Sequence, residues 1–367
     1  MKLQYIDVHA FRNIHNQVVS FSPGCNVFYG DNAQGKTNLL EAVFIFATGK
    51  SFRTQKWKEL IPENELSFWM DCAVTSDKRN QQLKIFYTEK EGKKLHINGV
   101  EAENEKEFTT HLKVVIFTPD SLSLVKGTPA QRRNFLDFAI SQLRPRYAAY
   151  QKEYARLLLQ RNAQLKYITR TGFGREMMPV WDEYIAKLFA KMTLYRRSYV
   201  DRIKPVAIEK YSLVSENKEH LRLKYLSNVP EDVTEEGELS RYFLQVLKKN
   251  LEDDIKNQFT GVGPHRDDLL LFVGGHPAKS FASQGQQRAT VLALKLAEGE
   301  IFHQDAGYAP LYLFDDIFSE LDEKRQKHLM NTMEDKQALL TTCSRHVNPF
   351  SEQGKKFFVE NGVYTEE

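Results

Sequence analysis

The sequence predicts an α/β fold: a mixed sheet with helices, interrupted by an inserted α-helical lobe. Strand-like stretches crowd both ends of the chain, helical periodicity fills the middle, and an early strand runs straight into a Gly-rich loop followed by a helix. The expected division is a discontinuous head, 1–120 with 261–367, and a lobe over 121–260.

The first thirty residues alternate apolar and polar positions (Leu3, Tyr5, Val8, Phe11, then Val18-Val19 and Phe21) and end in Asn26-Val27-Phe28-Tyr29, which reads as short strands. Further strands are expected over 68–74, 83–87, 95–97 and 114–117, with Asn98-Gly99 marking a tight turn. From Pro129 the spacing changes to three and four. Tyr147, Tyr150, Tyr154, Leu157-Leu158 and Leu165 form one run, and Trp181, Tyr184-Ile185, Leu188, Met192, Tyr195 and Tyr199 a second. Thr171-Gly172-Phe173-Gly174 and Pro179 separate them, which predicts a short antiparallel helical hairpin. A shorter helix near 239–251 follows an acidic linker. Strands resume over 269–273, 311–314, 338–341 and 357–359.

Charge is unevenly placed. The 367 residues sum to +3, yet 126–210 carries 18 basic and 7 acidic residues, while 261–367 carries 11 and 16. A basic segment of net +11 inside a nearly neutral chain points to an anionic polymer or surface as partner. The longest apolar stretch, Ala42 to Ala47, is far too short to span a bilayer, and the N-terminus lacks a secretory apolar core. Three cysteines without a Cys-x-x-Cys pair favour neither a disulfide framework nor a zinc site, so a cytoplasmic protein with three core thiols is expected.

Gly30-Asp31-Asn32-Ala33-Gln34-Gly35-Lys36-Thr37 fits G-x-x-x-x-G-K-[ST] between a strand and a helix. Backbone N–H groups of such a loop cradle phosphate oxygens, Lys36 supplies a positive charge at the outer phosphates, and the Thr37 hydroxyl is placed to ligate Mg²⁺. Leu311 to Phe314 is an apolar strand ending in Asp315-Asp316. Ligands of open α/β sheets collect at strand carboxyl ends, so both acids should face the loop, Asp315 as the metal partner and Asp316 orienting or deprotonating a water. Ser283-Gln284-Gly285-Gln286 opens another periodic helix; Ser283 and Gln286 form a capping box, and Gly285 permits close phosphate approach.

Together these elements resemble the ATP-binding-cassette ATPases and, within them, the RecF family of bacterial recombination proteins. Ser283 to Gln286 is similar to the cassette signature, and Asp315-Asp316-Ile317-Phe318-Ser319-Glu320-Leu321-Asp322 to a Walker B motif running into a D-loop. Particular to RecF are Phe11-Arg12-Asn13, Ser51-Phe52-Arg53-Thr54, Gly127-Thr128-Pro129 with Arg132-Arg133 and Phe135-Leu136-Asp137, and Gly263-Pro264-His265-Arg266-Asp267-Asp268. Three features depart from the general cassette pattern. No glutamine stands near Phe117-Thr118-Pro119, no histidine directly follows Thr341-Thr342-Cys343, and Asp316 occupies a place that is usually glutamate.

The resemblance implies an ABC-type head, ATP and Mg²⁺ as cofactors, and a weak, DNA-stimulated ATPase whose hydrolysis works as a switch. It also implies an ATP-dependent homodimer in which the Ser283 segment of one copy meets the phosphate loop of the other. DNA recognised without regard to sequence at gaps or junctions, partnership with RecR and RecO, RecA loading, and roles in DNA replication and the SOS response belong to the same expectation. Within the basic segment, Arg132, Arg133, Arg144 and Arg146 are the expected DNA contacts. A transporter subunit would need a membrane partner and suits the basic hairpin poorly. A nuclease-coupled defence ATPase would need a further catalytic domain, for which little chain remains after Thr341.

Overall fold

Alternating sequences and continuously apolar ones build different sheets, and this chain contains both. The computed structural model describes residues 1–76, 79–216, 218–348 and 353–367. It divides into two compact units, Met1–Ser121 with Lys295–Glu367, and Leu122–Leu294.

Among the described residues of the first unit there are two six-stranded sheets. In the antiparallel one the order is Ile14–Ser20, Lys2–Phe11, Ser67–Ser76, Arg79–Thr88, Gly92–Ile97, Val100–Glu101. Ile6, Val8, Met70, Cys72, Leu83, Ile85 and Leu95 point to its buried face, as period-two alternation requires. The expected tight turn is present, with Asn98 and Gly99 both in the left-handed region (φ 51° and 81°).

The second sheet runs Val363–Glu366, Lys355–Glu360, Cys25–Tyr29, Ala338–Thr342, Leu311–Asp315, Val114–Phe117, parallel except for the 355–366 hairpin. Its three central strands are buried along their whole length, which accounts for their mostly apolar character, the polar Asn26, Asp315, Thr341 and Thr342 being buried with them. Because they are parallel, Gly30, Asp316 and Cys343 emerge at one edge. Gln337, buried beside the first strand, accepts from Leu3 N–H (2.7 Å) and donates to the carbonyls of Leu3 (2.8 Å) and Ser22 (2.7 Å), tying the two sheets together.

In the second unit the periodic runs become helices Pro145–Thr171 and Met178–Val214, of 27 and 37 residues. Gly172 stops the first in the left-handed conformation (φ 76°), and Pro179 sits in the first turn of the second. Tyr147 packs on Tyr195, Tyr154 on Phe189, and Arg161 bonds Asp182, so partners descend as the first helix ascends. That is an antiparallel hairpin. Helix Glu236–Lys249 packs along it.

Residues 261–294, expected with the head, lie in this second unit. The reason is strand Leu221–Leu226, which the sequence reading passed over: it pairs antiparallel with Asp268–Val273 along its whole length. Cys25 and Cys72 are core thiols as expected, but Cys343 is exposed, because it lies just past the end of its strand.

Candidate functional site: a phosphate loop backed by paired acids

The loop from Gly30 to Thr37 is shaped by contacts that leave no room for side chains. A Cβ on Gly30 would lie 2.2 Å from the Val359 carbonyl oxygen, and one on Gly35 (φ 110°) would lie 2.7 Å from the Asn13 side chain. Asn13 donates to the Gln34 carbonyl (3.2 Å) and accepts from Asn38 (2.7 Å); the Tyr364 hydroxyl donates to the Gly35 carbonyl (2.8 Å). Lys36 folds back over the loop, its Nζ donating to the carbonyls of Gly30 and of Asp31 (2.8 Å) and lying 3.5 Å from Cys343 Sγ. The Cys343 thiol in turn donates to Asn32 Oδ1 (3.0 Å).

Helix Lys36–Thr48 rests on a buried anion. Glu41, with no exposed side-chain surface, receives two bonds from Arg12 (3.0 and 2.7 Å), one from Arg53 (3.2 Å) and one from Ser51 (2.5 Å). Arg53 also donates to Asn38 (2.7 Å). The Phe11-Arg12-Asn13 and Ser51 to Thr54 blocks therefore converge on the helix that follows the phosphate loop and brace the loop through Asn13 and Asn38. Two guanidinium groups and a hydroxyl satisfy a carboxylate that would otherwise be costly to bury.

Asp315 and Asp316 stand at the carboxyl end of strand Leu311–Asp315, as expected. Asp315 Oδ1 accepts from the Thr37 hydroxyl (2.7 Å) and from the Thr341 hydroxyl (2.9 Å). The chain turns at Asp316 through the left-handed region (φ 49°, ψ 30°), and the Asp316 N–H donates to Thr341 Oγ1 (3.0 Å). A hydroxyl and a carboxylate held together behind a phosphate cradle are hard oxygen donors that fit Mg²⁺, which takes one or two protein ligands and completes its shell with phosphate and water.

Ser283, Gly285 and Gln286 lie in the second unit at the start of helix Gln284–Ala306. The capping box is formed: Ser283 N–H donates to Gln286 Oε1 (2.5 Å) and Gln286 N–H to Ser283 Oγ (3.3 Å). Gln286 also donates to Glu219 (2.5 Å).

The basic segment is less basic outside than its composition. Arg132 is buried in a two-pronged pair with Asp268 (2.7 and 2.9 Å), so it is not an available DNA contact. Arg133 is half-buried and donates to the Asp267 carbonyl (2.8 Å); its pKa is lowered, first by burial. Arg196 is held by Asp137 (2.8 and 2.9 Å), and Arg161 by Asp182 (2.8 Å), Asp254 (2.7 Å) and Thr260 (2.8 Å). Arg144 and Arg146 are exposed, as are Arg156, Lys166, Arg170 and Lys204. His265 belongs to the same interior. Its Nε2–H faces the Thr260 carbonyl (2.9 Å), which leaves Nδ1 to accept from Tyr154 (2.6 Å), and burial pushes its pKa down to about 4. Gly263 to Asp268 is thus a structural knot.

Asn13, Glu41, Thr341, Cys343 and Tyr364 were not singled out as site residues from sequence. Arg12-Asn13 carried a signal as a block; Thr341 and Tyr364 carried none.

Known proteins agree with this picture. Residues 2–364 match the family model described as the RecF/RecN/SMC N terminal domain. A protein of Natranaerobius thermophilus named DNA replication and repair protein RecF is 39% identical over 353 residues, covering 94% of this chain and 92% of its own; one of Streptococcus thermophilus with the same name is 36% identical, covering 100% and 99%. A solved structure described as the recombination mediator protein RecF-ATPrS in the RecFOR pathway superposes with a TM-score of 0.93 at 33% identity, covering 100% of this chain and 98% of its own. An SMC head bound to the C-winged helix domain of ScpA, at 16% identity and a TM-score of 0.60, shares the fold. The family match over nearly the whole chain, and full-length relatives well above 30% identity, place this protein in the RecF/RecN/SMC family, among its RecF members.

Proposed function

We propose that this protein is an ATP-dependent DNA replication and repair factor of the RecF type, a cytoplasmic ATPase that uses nucleotide state to control its hold on DNA. The observation that carries the reading is the Thr37–Asp315 contact (2.7 Å) behind a complete phosphate loop. It is supported by the relatives' names and by related structures described as RecF-ATP and RecF-ATPrS.

In this reading the N–H groups of the loop bind the phosphates, and Lys36 exchanges its carbonyl contacts for a phosphate oxygen. Thr37 and Asp315 hold Mg²⁺, which when bound neutralises charge on the phosphates. Asp316 orients the attacking water and takes its proton. Lacking a glutamine near Thr118 and a histidine after Thr342, the site hydrolyses ATP slowly, and binding rather than turnover sets the state. The Ser283 helix start of a second copy covers the outer phosphate, giving an ATP-dependent homodimer. Exposed Arg144 and Arg146 bind DNA phosphates without sequence preference, at gaps or junctions, with DNA stimulating hydrolysis. RecR and RecO act with it in loading RecA, linking it to replication and the SOS response.

The test is a gel shift on gapped and fully duplex DNA, with ATP and with a nonhydrolysable analogue, beside sedimentation of the Ser283→Arg variant. Nucleotide-dependent binding and a variant that binds ATP as a monomer support the reading. Nucleotide-independent DNA binding, or loss of ATP binding together with dimerisation, overturns it.

A further inference from the structure

We propose that Thr341 is a positioning residue that sets the acidic turn of the ATPase site, a role resting on the reading of Asp316 as the water-orienting acid. Strand Ala338–Thr342 lies parallel to Leu311–Asp315 with Thr341 in direct register with Asp315. Its hydroxyl is buried: it donates to Asp315 Oδ1 (2.9 Å), with the Phe314 carbonyl a longer alternative acceptor (3.4 Å), and accepts from the Asp316 N–H (3.0 Å). One side chain thereby fixes the carboxylate of the first acid and the backbone of the second.

The backbone bond matters because of the conformation it supports. Asp316 is a non-glycine residue in the left-handed region (φ 49°), a conformation uncommon for residues with a side chain though aspartate adopts it more readily than most, and a nearby acceptor for its N–H favours it. At the end of a strand and the start of helix Ile317–Glu320, its N–H has left the sheet ladder and has no turn of helix behind it. Thr341 supplies the acceptor for that N–H and so holds the backbone turn that carries the Asp316 side chain. The carboxylate bond has a separate effect: Asp315 Oδ1 accepts from Thr37 and Thr341 together, so it stays in place when Thr37 turns toward another partner. Valine at 341 keeps the shape and removes both bonds; serine keeps both.

The test compares Thr341→Val, Thr341→Ser and Asp316→Asn in the full-length protein. The readouts are kcat and KM for ATP, affinity for a fluorescent ATP analogue, and amide hydrogen exchange over 316–320 without nucleotide. Thr341→Val is expected to lower kcat by about tenfold or more, the scale of losing one catalytic alignment, while KM and analogue affinity stay within about threefold. Exchange over 316–320 accelerates, and Thr341→Ser restores kcat and protection. An unchanged kcat, a KM that rises in step as kcat falls, or a serine variant as impaired as valine overturns the role. Asp316→Asn separates the two readings. If it abolishes turnover while Thr341→Val is normal, only the positioning role fails; if it turns over ATP normally, the reading of Asp316 fails and the role falls with it.

Discussion

Arg12 clasps Glu41 through two parallel bonds of 3.0 and 2.7 Å, around a carboxylate with no exposed surface. Glu41 lies five residues beyond Lys36 on the same helix, so the pair decides how that helix, and the loop ahead of it, are seated. Removing one partner leaves a buried charge short of its main counterion. Arg12→Ala should destabilise the first unit by about 3 kcal/mol, read as a lowered denaturant midpoint, and weaken nucleotide affinity. Glu41→Gln keeps the volume and should cost less.

Cys343 is an exposed thiol 3.5 Å from Lys36 Nζ, whereas Cys25 and Cys72 are buried. N-ethylmaleimide should therefore modify Cys343 first in the folded protein and block nucleotide binding by bulk. Bound ATP should protect it, and Cys343→Ser should bind nucleotide after treatment. Mass spectrometry of the modified protein checks the site.

His265 supplies a pH dependence. Its folded pKa of about 4 lies below the unfolded value near 6.5, so the unfolded chain binds more protons between them. Its contribution to stability is complete above pH 6.5 and lost as pH falls toward 4, by about 3 kcal/mol in all. Unfolding curves across this window should show His265→Gln less acid-sensitive than the parent, whatever its stability at neutral pH.

The arginines divide into two sets. Arg144→Glu with Arg146→Glu should weaken DNA binding by about tenfold or more at fixed salt and reduce the salt slope by about 2, with a smaller effect on the melting temperature than loss of a buried ion pair has. Arg132→Ala should instead lower the melting temperature, because Asp268 is left buried without its guanidinium. Salt-titrated binding and thermal melts distinguish the sets.

The phosphate loop was legible because its information is contiguous: eight residues, with the strand before and the helix after, carry it. Asp315-Asp316 followed, since a strand's carboxyl end has a known direction. The helical hairpin was legible from periodicity and its glycine break. How much of the lobe's charge reaches its surface was not legible, because Arg132, Arg161 and Arg196 are paired with Asp268, Asp182, Asp254 and Asp137, and no local pattern announces such distant pairs. For the same reason the head did not separate into two sheets on inspection, and the short strand Leu221–Leu226 became visible only beside its partner. Thr341 reads as one more β-branched residue in a buried strand; its use lies in the hydroxyl's neighbours.

The place of strand Cys25–Tyr29 has a consequence for the order of events at the ribosome. Its two neighbours in the sheet are Ala338–Thr342 and Lys355–Glu360. At typical elongation rates these emerge on the order of tens of seconds after it, so a buried strand with the phosphate loop at its end waits that long for its sheet neighbours. The second unit, contiguous from Leu122 to Leu294, can mature in that interval. The second unit's exposed arginines are thus in place before the sheet behind the phosphate loop closes, and Gln337 bonds Leu3 across a separation of 334 residues.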